Sequence, residues 1–128
     1  MTRLASALLA RRDGATALEF ALIALPLLLL VCGTMDFGRM LWTEATLHTA
    51  VEDAARCASV NAALCGSSSA TQSYAAGRAF GLGLDAAAFT VSAQSCGNEV
   101  TASYPFAFAF GGLFPLSVTL TAAACFPS

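Results

Sequence analysis

Sixteen consecutive residues, Phe20 to Met35, carry no charge. As a helix rising ~1.5 Å per residue, such a run spans about 24 Å, slightly short of a ~30 Å hydrocarbon core. Counting back to Ala15 gives a comfortable span, but it takes Glu19 into the membrane edge. A charge near hydrocarbon costs a few kcal/mol on insertion scales, so Glu19 needs a physical reason to be there. Pro26 sits mid-run, where proline kinks a helix and frees a carbonyl. A membrane helix with packed neighbours tolerates that.

The charges flank this run unevenly. Arg3, Arg11 and Arg12 precede it, which predicts a cytoplasmic N-terminus and an exported remainder. After Gly14 only Arg39, Arg56 and Arg78 are basic, against Glu19, Asp36, Glu44, Glu52, Asp53, Asp85 and Glu99. An acidic remainder argues against nucleic acid as a partner. Charged residues make up 11% of the chain, well below the ~25% of ordinary soluble domains. The class is a small membrane-anchored protein. Cys32 lies in the run, whereas Cys57, Cys65, Cys96 and Cys125 lie beyond it. An even number of cysteines in an exported segment with a small core reads as two disulfides. There is no CxxC and no Cys/His pair at zinc spacing, so no metal or other cofactor is expected.

Three readings compete for the anchor. A cleaved secretory signal lacks a small-x-small site after the run, since Cys32-Gly33-Thr34-Met35-Asp36 matches poorly. A lipoprotein signal would use Cys32, but Leu30-Val31 puts no small residue directly before it. Twin-arginine export from Arg11-Arg12 is disfavoured by the following Asp13-Gly14. The third reading starts from Gly14 followed by Ala15-Thr16-Ala17-Leu18-Glu19-Phe20. This segment resembles the cleavage site of type IV prepilins.

That resemblance implies a membrane peptidase cutting on the cytoplasmic side, between Gly14 and Ala15. A glycine with no Cβ lets the backbone enter a narrow active site. Glu19 becomes the fifth mature residue and, buried in a filament, accepts the α-amino group of a neighbouring subunit. Such pairing offsets much of the cost of burying either charge and sets the register between subunits. The wider pattern is Glu19-Phe20-Ala21-Leu22, Pro26 with Leu27 to Leu30, and Gly33-Thr34-Met35-Asp36-Phe37-Gly38-Arg39. From about Gly14 to Trp42 it resembles the TadE-like family, the minor pilins or pseudopilins of the tight-adherence (Flp, type IVb) pilus system. The family implies insertion in the inner membrane and a part in pilus assembly for adhesion. Its implied partners are the prepilin peptidase, other pilins and the assembly platform. The chain's length suits the short family members, not the long type.

The rest of the chain reads as α+β: a long transmembrane and stalk helix, a short second helix and a small three-stranded antiparallel sheet. Residues 1–14 form the leader, 15–60 the long helix and 61–128 a small disulfide-stapled periplasmic domain. Met40, Leu47, Val51, Ala54 and Ala58 form one helical stripe, available to other pilins or to the chain's own sheet. Glu52 and Arg56 are an i,i+4 pair. Leu41 and Trp42 look like interfacial anchors. His48 is assigned no role. Cys57 and Cys65 are too far apart to bridge on one continuous helix, so the expected bridge needs a break near Val60-Asn61. Gly66 to Ser69 is a connector, and Thr71 is the expected cap of a helix running to about Phe80, ended by Gly81 and Gly83.

Alternation marks strands at Phe89–Ala93, at Val100–Tyr104 continuing through Phe106–Phe110, and at Leu116–Ala122. Gly111 to Pro115 is a loop between the last two. If those two strands pair as a hairpin, Cys96 and Cys125 come close. Four cysteines allow three connectivities, of which Cys96–Cys125 with Cys57–Cys65 is the expected one. Phe106, Phe108, Phe110 and Phe114 form an aromatic cluster, read first as core packing against the helix and otherwise as an exposed patch for a partner subunit or the membrane surface. No Ser/His/Asp or Cys/His arrangement, phosphate-cradling loop or pocketed carboxylate pair stands in the sequence, so the chain is not expected to be an enzyme. The rival function is an exported domain held in the membrane, or by a lipid on Cys32, with no pilus role.

Overall fold

Helix α1 runs from Asp13 to Val60 and contains Pro26. It opens a computed structural model that describes residues 13–109 and 116–127. The leader up to Arg12, the Gly111–Pro115 loop, Phe110 and Phe114 lie outside the described residues. By its internal contacts the chain divides into two units, Met1–Phe37 and Gly38–Ser128.

In the first unit α1 is apolar on every side. Leu22, Ile23, Leu25, Leu27, Leu28 and Leu29 are all more than half exposed. A helix with no polar face needs an apolar surrounding, and this one is long and apolar enough to cross a membrane. The helix continues through Pro26, whose missing N–H leaves the Leu22 carbonyl without its usual partner. Further on, the Thr34 hydroxyl donates to the Val31 carbonyl at 2.7 Å.

In the second unit, Gly38 to Val60 of α1 is followed by α2 (Ala62–Cys65), α3 (Ser68–Arg78) and a 3-10 turn (Ala86–Ala88). Strands β1 (Phe89–Gln94), β2 (Gly97–Ala107) and β3 (Ser117–Phe126) follow. They form an antiparallel meander in the order β1-β2-β3. Phe89 pairs with Ala102, and Ala102 with Ala122. With period two, this register puts Phe89, Val100, Ala102, Phe106, Leu120 and Ala122 into the core. Leu47, Ala50, Val51, Ala54 and Ala55 of α1 are fully buried in the same cluster, with Ala75 and Ala79 at the α3 end. The α1 stripe is therefore filled by the chain's own sheet, with Met40 half-buried at its edge. Small residues, Ala50, Ala54 and Ala55 on the helix and Ala102 and Ala122 on the sheet, make up much of this cluster. Beyond Ala102, β2 has β3 alone as a partner, so Pro105 sits where its missing donor is tolerated.

The break after Val60 has a local cause. Asn61 accepts the Leu64 N–H on Oδ1 at 3.2 Å and so starts a new helical turn, α2. Within that bend Cys57 and Cys65 form a disulfide with Cα atoms 5.7 Å apart. Ser67, in extended backbone, caps α3 by accepting the Ala70 N–H at 3.2 Å. This corrects the expected Thr71 cap. Thr71 is buried one turn inside the helix, with its hydroxyl 3.2 Å from the Cys65 carbonyl and 3.1 Å from that of Ser67. The helix also stops at Arg78, two residues before Phe80; Gly81 and Gly83 then take positive φ. Glu52 and Arg56 form no ion pair; Asp53 instead meets Arg78 of α3 at 3.5 Å. An exposed i,i+4 pair gains too little to hold two mobile side chains together.

The end of β3 is tied down at two points. Cys96, in the β1–β2 turn, is joined to Cys125 with Cα atoms 6.2 Å apart. The Ser59 hydroxyl lies 3.2 Å from the Phe126 carbonyl and accepts from Asn98 Nδ2 at 3.3 Å. Gly97 makes this approach possible. Its φ is +125°, and a Cβ there would stand 2.1 Å from the Phe126 carbonyl oxygen. Phe106 and Phe108 pack edge to face at 5.2 Å, and the Arg39 guanidinium lies 5.6 Å over the Phe106 ring.

Candidate functional site

The candidate site is the start of α1, Gly14 to Phe20. Gly14 is helical and exposed, and a Cβ added to it would meet nothing within 4 Å. Neither packing nor backbone sign asks for glycine here. A glycine within a helix is less stable than alanine by roughly 0.5–1 kcal/mol, so the fold alone gives no reason to keep it. Ala15 and Glu19 stand one helical turn apart, on the same face. Glu19 is exposed and has no hydrogen bond or ion pair among the described residues. Phe20 is 73% exposed directly beside it. This end of the helix thus presents, among the described residues, an unpartnered carboxylate at the edge of an apolar surface. Such a group has chemical use as an acceptor for a cation brought by another chain.

The other residues singled out in the sequence fall elsewhere. Pro26 and the half-buried free thiol of Cys32 lie on the apolar stretch of α1. Asp36 is buried, and His48 is exposed. Cys57, Cys65, Cys96 and Cys125 hold the second unit. Among the described residues no three His, Cys, Asp or Glu side chains converge as a metal site.

One group of residues was not assembled by the sequence reading. Trp42 of α1 and Phe80, just past α3, are 54% and 69% exposed, and they border one groove. Arg78 flanks it, donating to the Tyr74 hydroxyl from Nε at 3.2 Å and from Nη2 at 2.8 Å. That hydrogen bond, helped by the charge of Asp53, raises the guanidinium pKa above its ordinary value. A signal existed in the spacing: Tyr74 and Arg78 stand four apart on α3. Their meeting with Trp42 needed the tertiary fold.

Comparison with known proteins gives one match. Residues 14–56 fit the family model described as TadE-like protein. The match starts at Gly14, takes in the apolar stretch, and continues along α1 past Trp42 to the residue before Cys57. It covers about a third of the chain and none of the sheet. No curated protein and no solved structure matches the chain.

Proposed function

From the TadE-like character of residues 14–56, we propose that this protein is a minor pilin or pseudopilin of a tight-adherence (Flp, type IVb) pilus system. A prepilin peptidase removes residues 1–14 by cutting between Gly14 and Ala15. Helix α1 then stays in the cytoplasmic membrane, with its N-terminus in the cytoplasm and the disulfide-bonded unit in the periplasm. Glu19 receives the Ala15 α-amino group of an adjacent pilin and fixes the axial register. The protein is a substrate and a building block, not an enzyme, and needs no cofactor. Its partners are the peptidase, other pilins and the assembly platform.

One observation carries this reading. An exposed carboxylate, without a partner among the described residues, stands five residues after a glycine that the fold does not require. Left alone in hydrocarbon, a carboxylate costs about 2.5–3.5 kcal/mol on insertion scales, and an intermolecular ion pair offsets that cost. The deciding experiment is N-terminal sequencing of the protein recovered from membranes of a host with the peptidase. The expected start is Ala15, and Gly14→Leu is expected to retain the leader. Recovery of an uncleaved chain in that host overturns the reading, and a blocked start at Cys32 replaces it with a lipid anchor.

A further inference from the structure

Trp42 is the only tryptophan in the chain, and it stands on α1 beside a connector that leaves Phe80 in the open. The connector is shaped for this. Gly81 takes φ +78°, and a Cβ on it would come within 3.0 Å of the Trp42 ring, so the indole rests against bare backbone. Ala45 and Thr49 keep the groove shallow between the two rings, and the Asp53–Arg78 ion pair forms its far rim. The result is an aromatic floor with a charged rim. That combination suits a boundary where one side is apolar and the other wet.

Resting on the reading of α1 as a membrane span, we propose that the Trp42–Phe80 groove docks on the bilayer. Its two rings lie among the headgroups and its charged rim faces water. The occupant follows from continuity along the helix. The uncharged run ends at Met35, and Trp42 follows two turns later on the same helix, about 10 Å further along its axis. Aromatic side chains are enriched at that level of the bilayer. A docked groove holds the second unit against the membrane before assembly, and it must be released when the subunit leaves for a filament.

The test uses the full chain reconstituted in phosphatidylethanolamine–phosphatidylglycerol vesicles. In the double variant Trp42→Phe/Phe80→Trp the introduced indole is the only one. Its emission is expected to shift to the blue. Lipids brominated at the headgroup end of the acyl chain are expected to quench most of it, and deep-brominated lipids little. Phe80 is exposed, so the substitution leaves the core intact, which the circular dichroism spectrum checks. In the otherwise unchanged chain, Phe80→Ser is expected to red-shift Trp42 emission. Quenching of native Trp42 without quenching at position 80 overturns the docking but leaves the membrane span standing. Loss of quenching at both positions also overturns the docking, and failure of the chain to co-sediment with the vesicles removes the span as well. A blue-shifted, unquenched indole at position 80 that depends on protein concentration assigns the groove to a second protein, and also overturns the proposal.

Discussion

Replacing Cys96 and Cys125 together by alanine tests what holds the sheet to the helix. The bridge closes a separation of 29 residues and joins the β1–β2 turn to the end of β3. In the chain-entropy relation, freeing a loop of that length in the unfolded state costs ~3.6 kcal/mol. Cys96 is exposed and Cys125 half-buried, so little packing is lost alongside. For a unit of this size each kcal/mol moves the melting temperature by about 4–8 °C, so the expected drop is roughly 14–29 °C. The Cys57–Cys65 bridge spans 8 residues, for which the same relation gives ~2.5 kcal/mol. There, however, both cysteines are buried, and alanine also removes packed sulfur. The Cys96–Cys125 variant is therefore the cleaner measure. The assay is thermal unfolding of the full chain in detergent micelles, followed by Trp42 fluorescence. Reducing the unaltered protein is expected to lower the midpoint at least as far, since it opens both bridges. A drop of only a degree or two in the variant would refute the reasoning. It would mean that the Ser59–Phe126 contact and the β2–β3 ladder already hold the strand without the bridge.

Three further outcomes are expected. Glu19→Ala is cleaved largely as the unaltered chain is, yet fails to co-purify with partner pilins; normal recovery of those partners sinks the register role. Gly97→Ala places a methyl 2.1 Å from the Phe126 carbonyl at a φ that L side chains rarely adopt. Chemical denaturation is expected to show a loss of at least about 2 kcal/mol, and an unchanged midpoint contradicts the close approach. Phe89→Ala empties the largest fully buried site, for an expected loss of roughly 3–5 kcal/mol in the same measurement.

Much of the candidate site is written in consecutive residues. Gly14, Glu19 and the uncharged run need no partner from elsewhere in the chain to be recognised, because they are neighbours along one helix. The three strands were also legible, because a half-buried sheet enforces alternation residue by residue. Capping was not. Ser67, Ser68, Ser69 and Thr71 all have capping chemistry, and the choice fell to the burial of Thr71 beneath Cys65. The charge pairing was missed for a similar reason. Glu52 and Arg56 are adjacent by helical spacing, but Asp53 found Arg78 across the gap between two helices.

The sequence by itself determined the long apolar helix, the place of the glycine–glutamate pair on it and the α+β class. Each depends on local periodicity or on transfer between water and hydrocarbon, and one stretch of chain suffices for either. Only the tertiary structure decided which face of α1 is covered and why Gly97 must lack a Cβ. It alone brought Trp42 beside Phe80. Those outcomes depend on distances between segments far apart in sequence, which are fixed when helix and sheet close over one shared core.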